Sequence, residues 1–215
     1  IPLIVLTALL HAFIALRLTP ALAQVTHAWP LFVALLIVSV ATMPLPFLRR
    51  RGRERPHRAG RGWGAVAQWL GLVAMGWFSS LFVLTLLRDV GLLLAWLASA
   101  LGDWAVPWAH WESVSAVAVL AVATAVTLIG FLNARRTAAV REVDVPLDGL
   151  SSQLRGFTIV QLSDIHVGPT IRRRYIRRIV EKVNALDADM IAITGDLVDG
   201  SVAELREHIA PLADL

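Results

Sequence analysis

The sequence predicts a multi-span α-helical membrane region followed by the first β-α-β-α part of an α/β domain. The 215 residues are 57% hydrophobic and only 17% charged, whereas soluble domains average about 45–50% apolar and about 25% charged residues. Residues 1–132 hold nine arginines and four acidic residues, and residues 133–215 hold eleven basic and twelve acidic residues. The first part is therefore typical of a membrane region and the second of a soluble domain.

The composition also excludes several classes of function. The net charge of +4 belongs to the apolar part and gives no reason to propose nucleic acid as a partner. The chain contains no cysteine, which excludes disulfides, thiolate metal sites and cysteine nucleophiles. The oligomeric state does not follow from these data.

Four apolar stretches reach or approach the length of about 20 residues that a membrane-spanning helix needs. We predict spans at residues 1–18, 29–48, 63–87 and 114–132. Within residues 90–111 the apolar stretch is only twelve residues long before Gly102, and several tryptophans follow it. We predict that they lie at the interface, with a fifth crossing as the alternative. Cleavage of the first apolar stretch after its Ala-Leu-Ala segment is a further alternative.

The arginines predict the orientation. The segment Arg49–Arg61 carries seven of them, and such basic loops stay in the cytoplasm and attract anionic lipid. With four spans, ten arginines lie inside and only Arg17 and Arg88 outside, whereas five spans would give seven inside and five outside. We therefore predict four spans in the plasma or inner membrane, with the C-terminal domain in the cytoplasm.

The C-terminal part alternates strands and helices after a linker, residues 133–155, that contains a predicted edge strand, Val140–Leu147. Two nearly continuous runs of β-branched and apolar residues, 157–162 and 189–194, are typical of strands buried on both faces. Residues 171–187 between them predict an amphipathic helix, and a capping box predicts the start of a second helix. The apolar stripe is Ile176, Ile179, Val180 and Val183, and the capping pair is Ser201 and Glu204.

Three chemically suitable side chains directly follow these strands. Asp164 and His166 end the first strand, and Asp196 follows the second strand after Gly195, which permits close backbone approach. Parallel strands would bring all three to one edge of the sheet, where α/β folds bind ligands. Two carboxylates and an imidazole suit Mn²⁺, Fe or Zn²⁺. Each signal alone is weak, because an aspartate at a strand end is usually a turn residue or a helix cap.

The segments QLSDIHVG and ITGDLVDG resemble the first two motifs, D-x-H and G-D-x-x-D, of the calcineurin-like metallophosphoesterases. The preceding VDVPLDGLSSQLRGFTIVQLSD is similar to the lead-in of the membrane-associated branch with N-terminal transmembrane helices. The resemblance covers about Val140 to Gly200. It implies that Asp164 and His166 bind one metal ion and that Asp196 bridges two, with Asp199 and Gly195 fixing the loop or orienting the ligands.

The resemblance implies that the protein is a membrane-anchored hydrolase of phosphomonoesters or phosphodiesters. Such an enzyme would use two divalent metal ions (Mn, Fe or Zn) and a metal-bound hydroxide. Membrane lipids and a phosphoester, possibly lipid- or nucleotide-linked, would be its partners. The alternative is a multi-pass transporter or sensor with a non-catalytic phosphoesterase-like domain. The family's later motifs, G-N-H-(D/E) and G-H-x-H, would supply the remaining ligands beyond Leu215. We therefore expect that residues 156–215 form only the N-terminal part of the domain and that this 215-residue chain is itself inactive.

The other histidines, at positions 11, 27, 57, 110 and 208, have no motif around them, and we expect no chemical role for them. A further feature is the run Arg172–Arg174 followed by Arg177 and Arg178. We interpret it as the solvated face of the amphipathic helix, with contact to lipid headgroups as the alternative.

Overall fold

The computed structural model describes residues 2–45, 63–168 and 170–215. The chain divides into a helical unit, Ile1–Ala134, and a second unit, Arg135–Leu215. The described part of the helical unit contains α1 (Pro2–Val25), α2 (Trp29–Thr42), α3 (Trp63–Gly102) and α4 (Trp108–Ala134). The basic segment Arg49–Arg61 lies outside the described residues.

Three of the described helices are long and apolar enough to cross a membrane: Ile4–Val25, Trp69–Gly102 and Trp108–Ala134. The helix α2 has 14 residues, fewer than the about 20 that a span needs. Its predicted span reached residue 48, and residues 46–48 lie outside the described part of the chain.

The helix α3 differs from the prediction. It runs for 40 residues to Gly102, so residues 90–102 continue the helix of the predicted span 63–87 instead of forming a separate segment. It ends where Asp103 adopts a φ of 50°, the left-handed conformation that commonly follows a helix. The helix α4 then begins at Trp108, before the predicted start at residue 114. The prediction failed because Arg88 and Asp89, which separate the two apolar stretches, both find partners on neighbouring helices.

Arg88 lies at the centre of a polar network between helices, with its side chain only 4% exposed. Its Nε donates to Ser115 Oγ at 2.9 Å, and its Nη2 donates to the Glu112 carbonyl at 3.0 Å. Asp89 Oδ1 lies 3.2 Å from Arg88 Nη1, and Arg17 Nε of α1 lies 2.7 Å from Asp89 Oδ2. The network therefore links α1, α3 and α4.

Replacing Arg88 by methionine is expected to destabilise the helical unit by about 3 kcal/mol, because it removes the hydrogen bonds that a buried guanidinium donates to Ser115, the Glu112 carbonyl and Asp89. Denaturation in detergent, followed by circular dichroism, measures this change. Arg17→Met is the matched control, since the Arg17 side chain is 49% exposed and exposed ion pairs contribute about 0–1 kcal/mol. Equal destabilisation by the two substitutions would show that burial does not decide the strength of this network.

The helices pack around an apolar core and also expose many large apolar side chains, such as Leu16 at 75%. Such all-round apolar surface is typical of helices in lipid. The core also buries His11, whose Nδ1 lies 2.7 Å from the Thr7 carbonyl and whose Nε2 lies 2.9 Å from Ser39 Oγ. The second of these contacts joins α1 to α2. The buried core residues are Ile14, Leu18, Ala21, Leu22, Phe32, Leu36, Phe78, Leu81, Ala116, Val119 and Ala123.

The second unit contains the predicted strand-helix-strand-helix order. Its elements are β1 (Ile159–Ser163), α5 (Arg173–Asn184), β2 (Met190–Thr194) and α6 (Val202–Ile209), with short 3₁₀ turns at Ser152–Leu154 and Ala210–Asp214. The two strands pair in parallel, from Ile159 opposite Met190 to Ser163 opposite Thr194. The α5 stripe of Ile176, Ile179, Val180 and Val183 is buried, as predicted.

Three local predictions were wrong or only partly right. Val140–Leu147 has no regular secondary structure, since among the described residues no strand pairs with it. The strands are not buried on both faces: Ile159 is 55% exposed and Ile193 45%, because parallel strands become buried only when other elements cover the sheet. Ser201 occupies the N-cap position of α6, but in the described structure its side chain makes no capping hydrogen bond.

Asp189 joins the beginnings of the two strands. Its Oδ2 accepts hydrogen bonds from the Thr158 backbone N–H at 2.7 Å and from Thr158 Oγ1 at 2.9 Å. These bonds stabilise the carboxylate and hold the pKa of Asp189 below its usual value. The pairing register is therefore fixed at the edge of the sheet opposite the one that carries the predicted site.

Candidate functional site

Parallel pairing continues beyond the ends of β1 and β2, so the two predicted motifs lie side by side. The backbone N–H of His166 donates to the Asp196 carbonyl at 3.0 Å, and the N–H of Asp199 donates to the Val167 carbonyl at 2.8 Å. Val167 and Val198 form a further parallel bridge. Asp164, His166 and Asp196 therefore lie at one edge of the sheet, as the order of elements predicted.

Asp164 is held by two hydrogen bonds at the end of β1. Ser163 Oγ donates to Asp164 Oδ2, and the Asp196 backbone N–H donates to Asp164 Oδ1 at 3.3 Å. The Ser163 hydroxyl, followed by this N–H, lowers the pKa of Asp164. Asp164 is therefore ionised near neutral pH, the state in which a carboxylate binds cations.

Gly195 makes the close approach of the two loops possible. Its φ is +66°, and a Cβ built on it would lie 2.8 Å from Asp164 Cγ, closer than real contacts allow. Only glycine adopts such a φ freely and leaves this space empty. The Asp164 carboxylate therefore occupies the volume that any other residue at position 195 would fill.

His166 is oriented by Asp199. Its Nδ1 lies 3.1 Å from Asp199 Oδ2, and this hydrogen bond raises the pKa of His166. When Nδ1–H donates to Asp199, the neutral ring presents the lone pair of Nε2. Histidines that bind metal ions usually donate their other ring N–H to a carboxylate in this way.

The donor types at this edge fit a divalent metal ion: two carboxylates and an imidazole nitrogen, with Gly195 leaving room for the Asp164 carboxylate. The described residues, 2–45, 63–168 and 170–215, nevertheless contain no group of three His, Asp or Glu side chains arranged to hold a metal ion. The ligand roles of Asp164, His166 and Asp196 therefore remain a prediction.

Two features of the site were missed by sequence reasoning. Asp164 has a φ of 53° and His166 a φ of 50°, a conformation uncommon outside glycine that tends to cluster at functional sites. The other missed feature is Ser163, whose hydroxyl contacts Asp164. Its position directly before Asp164 was the available signal, because serine commonly bonds to neighbouring residues at turns.

Comparison with protein families identifies the domain to which this sheet belongs. Residues 157–214 match the family model described as calcineurin-like phosphoesterase. Over these residues the C-terminal unit is similar to the calcineurin-like phosphoesterases. These proteins generally use divalent metal ions, which agrees with the donor types at the sheet edge. No solved structure matches the chain.

Curated relatives combine this domain with membrane helices. A "Transmembrane protein with metallophosphoesterase domain" from Danio rerio is 38% identical over 46% of this chain and 23% of the relative. A protein of the same name from Bos taurus is 42% identical over 46% of this chain and 22% of the relative. An "Uncharacterized metallophosphoesterase" from Helicobacter pylori is 35% identical over 40% of this chain and 22% of its own. The chain thus matches less than a quarter of the length of these relatives.

Proposed function

We propose that this calcineurin-like protein is a membrane-anchored, metal-dependent hydrolase of phosphomonoesters or phosphodiesters. The observation that carries the proposal is the pairing of the two motif loops, with the Asp196 N–H 3.3 Å from Asp164 Oδ1. Through this pairing, the carboxylate of Asp164, which follows β1, contacts the backbone of Asp196, which follows β2. We propose a lipid-linked or nucleotide-linked substrate because the protein is attached to a membrane; this part of the proposal rests on the membrane helices and not on the site.

Each residue has a distinct part in the proposed site. Asp164 and His166 would hold one divalent ion, and Asp196 would reach both that ion and a second one, with Mn, Fe or Zn as the metal. Ser163 donates a hydrogen bond to Asp164, and Asp199 fixes the ring of His166 so that Nε2 is available. When bound, the ions supply polarisation of the phosphoryl group and neutralise the charge that develops on its oxygens.

A complete version of the protein, which also carries the family's later ligand motifs, is expected to hydrolyse bis-p-nitrophenyl phosphate or p-nitrophenyl phosphate in detergent when Mn²⁺ is added. Chelation should abolish turnover, and returning Mn²⁺ should restore it, because the proposed ligands act through the metal. Release of nitrophenolate is the measurement. A folded protein that hydrolyses neither compound with Mn²⁺, Fe²⁺ or Zn²⁺ would refute the proposal.

We also propose that the hydrolase domain faces the cytoplasm, on the basis of the arginine distribution. Because the chain contains no cysteine, single cysteines at Ala59 and Ser151 report the side of each segment. Both should resist an impermeant thiol reagent in intact cells and react after permeabilisation. Labelling of Ser151→Cys alone in intact cells would place the domain outside and contradict this orientation.

The transporter or sensor alternative has one observation in its favour, the buried Arg88 with Asp89 inside the candidate span Trp69–Gly102. Charged residues inside spans commonly mark ion or substrate paths. The guanidinium of Arg88, however, donates to Ser115, Glu112 and Asp89, which favours a role in joining helices. Ion or solute flux in proteoliposomes that Arg88→Met abolishes would support the alternative.

A further inference from the structure

The helix α5 carries four arginines on one side, which we call the arginine face: Arg173, Arg174, Arg177 and Arg178. All four are exposed. The opposite side of α5 holds the buried stripe that packs into the unit. At 100° per residue, the four arginines fall within one half of the helix circumference, so their charges point away from the core.

In the described part of the second unit, the arginine face has no neutralising partner. Among the residues that the structure describes, no acidic side chain lies within ion-pair distance of any of the four. Glu181 is the one acidic residue of α5, and Lys182 adds a further positive charge. The face therefore carries a net positive charge that the fold does not compensate.

We infer that the arginine face docks on an anionic lipid surface. Charge complementarity selects this partner, because each basic residue near an anionic leaflet strengthens binding about fivefold. The chain itself supplies the proximity: α5 begins fewer than forty residues after the end of α4, a candidate membrane span. A tether of this length keeps a weakly attracting surface at high effective concentration beside the bilayer. The inference does not depend on hydrolase activity.

The test uses the whole chain in nanodiscs and exploits its lack of cysteine. A fluorophore is attached to Ala185→Cys, an exposed position at the end of α5 that helical projection places between Arg174 and Arg178. Quenching by lipids spin-labelled at the headgroup reports contact with the surface. Ala203→Cys on α6, also exposed, is the matched control position. The nanodiscs contain either phosphatidylcholine alone or an equimolar mixture with phosphatidylglycerol.

Quenching at position 185 is expected to be several-fold stronger in the phosphatidylglycerol nanodiscs, with a smaller change at position 203. About 1 M salt should remove the difference, since it shortens the screening length from about 10 Å to about 3 Å. Combining Arg173→Gln, Arg174→Gln, Arg177→Gln and Arg178→Gln should also remove it. Glutamine has nearly the helix propensity of arginine, so circular dichroism should be unchanged. Lysine at all four positions should preserve the quenching.

Equal quenching in both kinds of nanodisc with the four arginines unchanged would overturn the inference, whatever the variants do. A difference between the two kinds of nanodisc that persists in the four-glutamine variant would overturn it as well, because the charges of the arginine face would then not be its cause. Since neither readout involves turnover, failure here is distinguishable from failure of the proposed hydrolase activity.

Discussion

Replacing Asp196 by alanine in a complete version of the protein, which also carries the later ligand motifs, is expected to reduce phosphoester hydrolysis by at least about a hundredfold. Asp164→Ala and His166→Ala should have similar effects, because each would remove a direct metal ligand, which should cost more than the about 10–100-fold typical of an outer partner. The measurement is Mn²⁺-dependent turnover of the nitrophenyl phosphates, with circular dichroism to show that the fold is retained.

Two further variants make this result specific. Asp199→Ala should lower activity by about 10–100-fold, since Asp199 acts only by orienting His166, and part of the loss should be recovered at higher Mn²⁺ concentration. Asp148→Ala changes an exposed turn carboxylate far from the motifs in sequence and should leave turnover unchanged. Near-normal turnover in the Asp196→Ala protein would rule out the assignment of a bridging carboxylate.

Gly195→Ala is expected to lower hydrolysis by about 10–100-fold, although it removes no polar group. The new Cβ would lie 2.8 Å from Asp164 Cγ, so Asp164 must move away from the position that the Asp196 N–H now fixes. A small movement of Asp164 is expected to matter, since a misplacement of a catalytic group by about 1 Å lowers the rate by about a hundredfold. The same turnover assay measures the effect. Titration of Mn²⁺ should show that the variant needs a higher Mn²⁺ concentration for half-maximal activity.

Gly156→Ala provides the control for backbone strain. Its φ of +79° resembles the +66° of Gly195, but a Cβ at position 156 meets nothing within 4 Å. Both substitutions therefore introduce a left-handed alanine, whereas only Gly195→Ala also displaces a carboxylate. Comparable loss of activity in the two variants would attribute the effect to backbone strain alone. It would contradict the idea that Gly195 is needed to leave space for the Asp164 carboxylate.

Periodicity and local motifs were sufficient where a single element decides the structure. The apolar stripe of α5 is visible at helical spacing because one helix buries one side, and the two strands are recognisable as continuous apolar runs. Boundaries were less predictable. Arg88 and Asp89 interrupt the apolar pattern of α3, but the helix continues because Arg17 and Ser115, remote in sequence, supply partners for their charges.

By itself, the sequence determined the division into an apolar helical part and an α/β part, the order of the strands and helices, and the residue types at the sheet edge. Only the tertiary structure decided that Asp164 contacts the Asp196 backbone and that His166 contacts Asp199. It also decided that Val140–Leu147 forms no strand. The physical reason is that composition and spacing act within one element, whereas hydrogen bonds between loops and the pairing of strands depend on which distant segments share the same space.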